Sequence, residues 1–155
     1  MVARTGFPGT STTGIVHSAS NDNNLPGGWL GHVSVTADQT VTTEAALTGL
    51  SQAVTVNTNR RIMIIFDGAY AMSSGSPNRA RFRIKEGGTV LKDRMFAAGG
   101  NGTEAAHMTV VLTPTSGSHT YNVTLQSQDA GNAVLKADPT GNPAELTILD
   151  IGPQS

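Results

Sequence analysis

Arg79-Ala80-Arg81-Phe82-Arg83-Ile84-Lys85 alternates cation and apolar side chain without a break. A period of two belongs to a β-strand with one face buried and the other toward water; a helix would scatter these residues around its circumference. Glu86-Gly87-Gly88-Thr89 follows. A Gly-Gly pair accepts the positive backbone angles of a tight hairpin, so the chain returns as a second strand over residues 89–96. The same period runs upstream through His32-Val33-Ser34-Val35-Thr36 and Ala53-Val54-Thr55-Val56. Asn57-Thr58-Asn59 then turns the chain into Arg60-Arg61-Ile62-Met63-Ile64-Ile65-Phe66, whose apolar run predicts a central strand covered on both faces. Downstream, strands are expected over residues 105–112, 119–126, 133–136 and 146–150. Gly99-Gly100-Asn101-Gly102, residues 114–118 and residues 139–143 punctuate them. Residues 43–50 read equally as one helical turn or as a loop with a brief strand.

Eight or nine short strands with no helix long enough for a crossover define the fold class as all-β. The expected architecture is an antiparallel β-sandwich or jelly roll of about eight strands, preceded by an extended N-terminal arm. An up-and-down barrel is the alternative. Residues 1–28 form the arm or linker and residues 29–155 the sandwich. The arm carries Gly6, Pro8, Gly9, Gly14, Pro26, Gly27 and Gly28, and its apolar residues keep no period. Such a segment cannot offset its own ordering entropy, so it is either a free tail or an arm that orders against a neighbour. Its docking candidates are Phe7, Pro8, Ile15, Val16 and Leu25, with Trp29 as the anchor at the junction.

Composition narrows the function. The chain has 155 residues, 37% hydrophobic and 14% charged, with 18 Gly and no Cys. Disulfides, thiolate metal sites and cysteine nucleophiles are excluded. A net charge of −1 does not suit a protein that coats nucleic acid. No apolar run approaches the roughly 20 residues of a membrane helix, and the first residues do not resemble a signal peptide, so neither membrane insertion nor secretion by that route is expected.

No catalytic motif emerges. His17, His32, His107 and His119 keep no metal-ligand spacing, although a hairpin could bring His107 opposite His119. The carboxylates Asp67, Asp93, Asp129 and Asp138 each stand by a turn or a Gly, where a short acceptor is expected to cap backbone N–H groups. There is no nucleophile elbow, phosphate loop or dinucleotide fingerprint. The expectation is a protein that is not an enzyme, with no catalytic, metal or cofactor site. What stands out is the basic stripe Arg79, Arg81, Arg83 and Lys85. Residues 60–94 hold eight Lys/Arg against three Asp/Glu, a balance of +5, and the rest hold two against eight, a balance of −6. Such separation reads either as a solvated face paired with carboxylates of other strands or as complementarity toward a partner. Nucleic acid fits less well, because no stacking aromatics interleave with the cations on their face.

Several phrases together resemble a known group. Leu25-Pro26-Gly27-Gly28-Trp29-Leu30-Gly31 introduces the first strand, Leu47-Thr48-Gly49-Leu50 precedes the second, and Arg60-Arg61-Ile62 opens the central one. Arg83-Ile84-Lys85-Glu86-Gly87 closes the basic strand. Leu112-Thr113-Pro114 leads to Gly117-Ser118-His119-Thr120-Tyr121, and Leu149-Asp150-Ile151-Gly152-Pro153 ends the chain's last strand. In this order they resemble small β-sandwich virion structural proteins of tailed, chiefly actinobacterial, bacteriophages, described as capsid decoration, head-fibre or minor tail proteins. The resemblance spans about residues 25–153. It implies a non-enzymatic protein on the outer surface of the virion, made in the host cytoplasm. A capsid decoration protein docked through its arm is the first expectation, and a minor tail or receptor-binding protein the second. Implied partners are copies of itself, with a trimer favoured, the major capsid protein or tail proteins, and host surface glycans. A carbohydrate-binding module is the alternative of another class, but aromatics at 5% leave few platforms for sugar.

Overall fold

A computed structural model describes residues 26–73, 78–98, 102–129, 131–138 and 141–154. Ten strands follow one another: β1 (Gly28–Val35), β2 (Gln39–Val41), β3 (Ala45–Val56), β4 (Arg60–Met72), β5 (Asn78–Glu86), β6 (Thr89–Ala98), β7 (Thr103–Leu112), β8 (Gly117–Ser127), β9 (Ala133–Lys136) and β10 (Ala144–Pro153). They form two antiparallel sheets packed as a β-sandwich. One sheet runs β1-β10-β4-β9-β2, with β7 on the other edge of β4; the second runs β3-β8-β5-β6. Among the described residues only β5 and β6 are chain neighbours that pair, which removes the up-and-down barrel. The arm proper, residues 1–25, lies outside the described residues, and with it Phe7, Pro8, Ile15, Val16 and Leu25.

β4 organises the first sheet. Its residues Arg60–Asp67 pair with β10, and Ala69–Met72 pair with β9. Gly68 sits between the two ladders, where a Cβ would press within 3.0 Å of the Phe66 ring and 3.3 Å of Ala144. The burial of β4 alternates instead of being complete. Ile62, Ile64 and Phe66 are fully buried, whereas Arg61, Met63 and Ile65 are only half-covered. The expectation of a strand covered on both faces therefore fails: no third layer lies over the outer side among the described residues.

The core fills the space between the sheets with Leu47, Leu50, Phe66, Tyr70, Phe82, Tyr121, Leu125 and Leu135 among its largest members. Phe82 has ring centroids of Phe66, Tyr70 and Phe96 within 5.2–5.9 Å, at tilted or edge-on angles that suit aromatic quadrupoles. Residues 43–50 form no helical turn, because β3 begins at Ala45. A bulge between Ala46 and Ser51, with Gly49 at φ +85°, resets the alternation, so Leu47 and Leu50 both reach the core although three apart.

Candidate functional site: the arm mount and the two outer faces

Three regions carry polar chemistry, and the sequence singled out only one of them. The first is at the root of the arm. Arg60 opens β4 and Asp150 lies near the end of β10, ninety positions away, both facing inward. Arg60 Nε donates to Asp150 Oδ2 at 2.8 Å and Nη2 to Oδ1 at 2.7 Å, a bidentate pair whose side chains are 5% and 8% exposed. Asp150 Oδ1 also accepts the Gly152 N–H at 2.9 Å, and its carboxylate accepts the Gly27 N–H. Burial pushes the Asp150 carboxyl up, but the Arg60 guanidinium and the two backbone donors outweigh it and hold the group below the ordinary carboxylate value. Gly27 is required there, because a Cβ would come within 2.6 Å of Asp150 Oδ2. The clasp thus ties the first described residues of the chain to the end of the sandwich.

The second region is the basic stripe on the outer face of the β3-β8-β5-β6 sheet. Ala80, Phe82 and Ile84 point inward at 0% exposure, as the alternation requires. On the opposite side each cation meets a carboxylate from this same chain. Arg79 binds Asp129 through Nε and Nη2 at 3.1 and 2.7 Å. Arg81 grips Asp93 at 2.6–3.0 Å, and Arg83 reaches the same Asp93 at 3.0 Å. Arg83 also pairs with Glu44, and Lys85 Nζ contacts Glu44 at 3.2 Å. Thr124 donates its hydroxyl to Glu44 at 2.9 Å. Hydrogen bonds from Arg81 and Arg83 hold the Asp93 carboxyl below its usual value, and Arg79 does the same for Asp129. The separation of sign along the chain is thereby folded away: Glu44 and Asp129 come from acidic stretches to neutralise the basic strand. The face presents an ordered mosaic of both signs.

The third region is the outer face of the sheet containing β4. Trp29 stands opposite Leu149, Leu149 opposite Met63, and Met63 opposite Val111. These four apolar side chains form a row across β1, β10, β4 and β7. Trp29 is 69% exposed and Val111 51% exposed. Two rungs along, His107 stands opposite Asp67 and Asp67 opposite Glu145. Asp67 Oδ1 lies 2.5 Å from His107 Nδ1, and His107 Nε2 lies 3.0 Å from Thr109 Oγ1. This carboxylate–imidazole–hydroxyl order resembles a nucleophilic relay, but the His107 and Asp67 side chains are 61% and 57% exposed. It stands open to water, not in a cleft that excludes it. His107 and His119 are not brought together. They lie on different sheets, and His119 instead bonds Glu86 at 2.6 Å and the Thr115 carbonyl at 2.9 Å.

No family model matches the chain, and no curated protein matches it. Several solved structures match the chain at low identity. The insecticidal delta-endotoxin Cry8Ea1 of Bacillus thuringiensis is 12% identical over 74% of this chain, with a TM-score of 0.45. The chain spans 20% of that toxin. A Bacillus endospore appendage of a disulfide-linked pilus family is 17% identical over 81% of this chain and 90% of its own, with a TM-score of 0.41. A protein of infectious bursal disease virus, Gx strain, is 8% identical over 82% of this chain and 42% of its own, with a TM-score of 0.44.

Proposed function

We propose that this chain is a non-enzymatic structural protein of a bacteriophage virion, a sandwich mounted on the particle through its N-terminal arm. One observation carries the reading. Three of the phrases that resemble the phage group, Pro26-Gly27-Gly28, Arg60-Arg61-Ile62 and Asp150-Ile151-Gly152, converge on the buried clasp at the arm's root. Residues that far apart in sequence serve one mechanical purpose there, which is to fix where an arm leaves a rigid body. A protein whose buried polar chemistry holds an attachment point, not a reaction centre, suits a decorating or bracing role.

In this reading the protein sits on the outer surface of the capsid, self-associates with a trimer favoured, and contacts the major capsid protein. The charge mosaic of Arg79, Arg81, Arg83 and Lys85 with its carboxylates gives a neighbour both signs in fixed positions, which favours register over raw affinity. A sugar-binding role gains little support, since Tyr70, Tyr121, Phe66 and Phe82 are buried and Trp29 is the large aromatic left exposed among the described residues. The test is cryo-electron microscopy of purified particles of the encoding phage, with the full chain or with residues 1–24 deleted. Density on the capsid that vanishes on deletion is the expected result. Density on the tail alone would favour the minor tail role, and absence from the particle would overturn the proposal.

A further inference from the structure

Soluble sheets seldom leave a continuous apolar row facing water, and such rows mark contact surfaces. The row Trp29–Leu149–Met63–Val111 is one. It crosses four strands, a width of about 14 Å at the usual strand spacing. An apolar strip across neighbouring strands suits an extended peptide segment, which brings apolar side chains at intervals along its length.

We infer that the occupant is residues 1–25 of a neighbouring copy of this chain, laid across the outer face of the β4 sheet. The segment has the matching composition: Phe7, Ile15, Val16 and Leu25 spaced by small and polar residues. Its charge complements the face as well. Arg4 is the cation of residues 1–21, which contain no Asp or Glu, and the same outer face carries Asp67 and Glu145 two rungs from the row. An extended segment of this length reaches about 80 Å, ample to pass from one subunit to the next. The mount explains why it leaves its own subunit. Gly27 is bound to the inward-facing Asp150 at the sandwich end, and Pro26 biases the residue before it toward extended backbone. This inference rests on the arm-mounted reading above and names the surface that receives the arm.

Trp29 is the single tryptophan of the chain and lies in the row, so its fluorescence reports occupancy directly. In the full chain its quenching by acrylamide should be several-fold weaker than in the chain lacking residues 1–24, which should also sediment as a smaller species. Full chain carrying Trp29→Phe, silent itself, should restore the protection when mixed with the truncated chain, because its arm binds in trans. Phe7→Ser with Ile15→Ser and Val16→Ser in the full chain should reproduce the truncation without removing any backbone. Equal quenching in full and truncated chains would overturn the inference, and so would protection that survives dilution to monomer and is never restored in trans. These readouts need no virion, so a protein absent from particles could still pass them, and a particle-bound protein could still fail.

Discussion

Replacing Asp150 with Asn isolates the electrostatic part of the clasp. The Asn side chain keeps the shape and one acceptor oxygen, but its amide turns N–H groups toward the Arg60 guanidinium. The cation is then left in a site where its side chain is 5% exposed. Removing one member of a buried pair costs about 3–5 kcal/mol. For a chain of this size about 3 °C of Tm corresponds to each kcal/mol, so the variant should melt about 10–15 °C below wild type. Arg60→Met combined with Asp150→Leu removes both charges and should cost less than Asp150→Asn alone. Its residual loss comes from the Gly27 and Gly152 N–H groups, which no longer have an acceptor. The pH dependence has a fixed sign. Because the folded Asp150 titrates below its ordinary value of 3.8, its contribution is full above that value and fades as pH falls through the lower folded one. The deficit of Asp150→Asn should accordingly shrink in strong acid. Urea unfolding of wild type, Asp150→Asn and the double, at neutral and acid pH, measures all of this. Asp150→Asn within about 1 kcal/mol of wild type, or a double that costs more than Asp150→Asn, would refute the reasoning.

Other outcomes follow from the same geometry. Arg81→Glu with Arg83→Glu sets new anions against Asp93 and Glu44; part-exposed pairs of this kind are worth about 0.2–1 kcal/mol each, so the isolated fold should lose about 1–3 kcal/mol in urea. The same variant should weaken self-association if the mosaic faces a partner, and sedimentation that is unchanged at low and high salt would confine the stripe to intramolecular duty. Tyr121→Phe should be neutral or stabilising by about 1 kcal/mol, because the buried hydroxyl has no hydrogen-bond partner among the described residues and burial pushes its pKa up to about 12. A clear loss of stability in thermal melts would reveal a bond to that hydroxyl. The His119 pKa is raised, chiefly by its bond to Glu86; burial opposes the shift, and the Thr115 carbonyl adds to it. Its contribution is full below 6.5 and is lost as pH rises through the higher folded value, so His119→Gln should flatten stability over that interval in urea midpoints.

The strands were legible where one alternation ran unbroken. The basic stretch and its Gly87-Gly88 turn form β5 and β6, with Glu86 opposite Thr89 and Gly87 at φ +55°. Period two was read correctly there because burial on a single face is what the period measures. It left residues 43–50 open between a helical turn and a brief strand, because the bulge around Gly49 gives two leucines a helix-like spacing. The pattern misled along β4, where a continuous apolar run marks half-covered residues on the outer side, not a third layer. An apolar side chain is evidence for contact, but the sequence alone does not say whether the contact lies within the subunit or beyond it.

The site was less legible because its partners depend on register between strands. A two-residue turn continued without a break would set Arg83 against Lys92 and Arg81 against Arg94. The observed slip between Ile84 and Lys85 instead sets Arg83 opposite Asp93 and carries Lys92 and Arg94 to positions opposite Ile84 and Phe82. Like charges directly across a ladder are unfavourable, so the charge pattern itself argued for a bulge, a signal the alternation reading did not use. Glu44 and Asp129 had no such signal. They reach the stripe through β3, β8 and the turn after β8, and only the sheet order β3-β8-β5-β6 makes them its neighbours. The clasp is the extreme case. Nothing local ties Arg60 to Asp150 or either to Gly27, yet the pairing of β4 with β10, and of β10 with β1, brings all three together. Gly27 is thus held by Asp150 of β10, the strand beside β1, and through Arg60 by β4, the strand beyond it. A load at Gly27 is therefore carried into both β10 and β4 instead of peeling β1 from the edge.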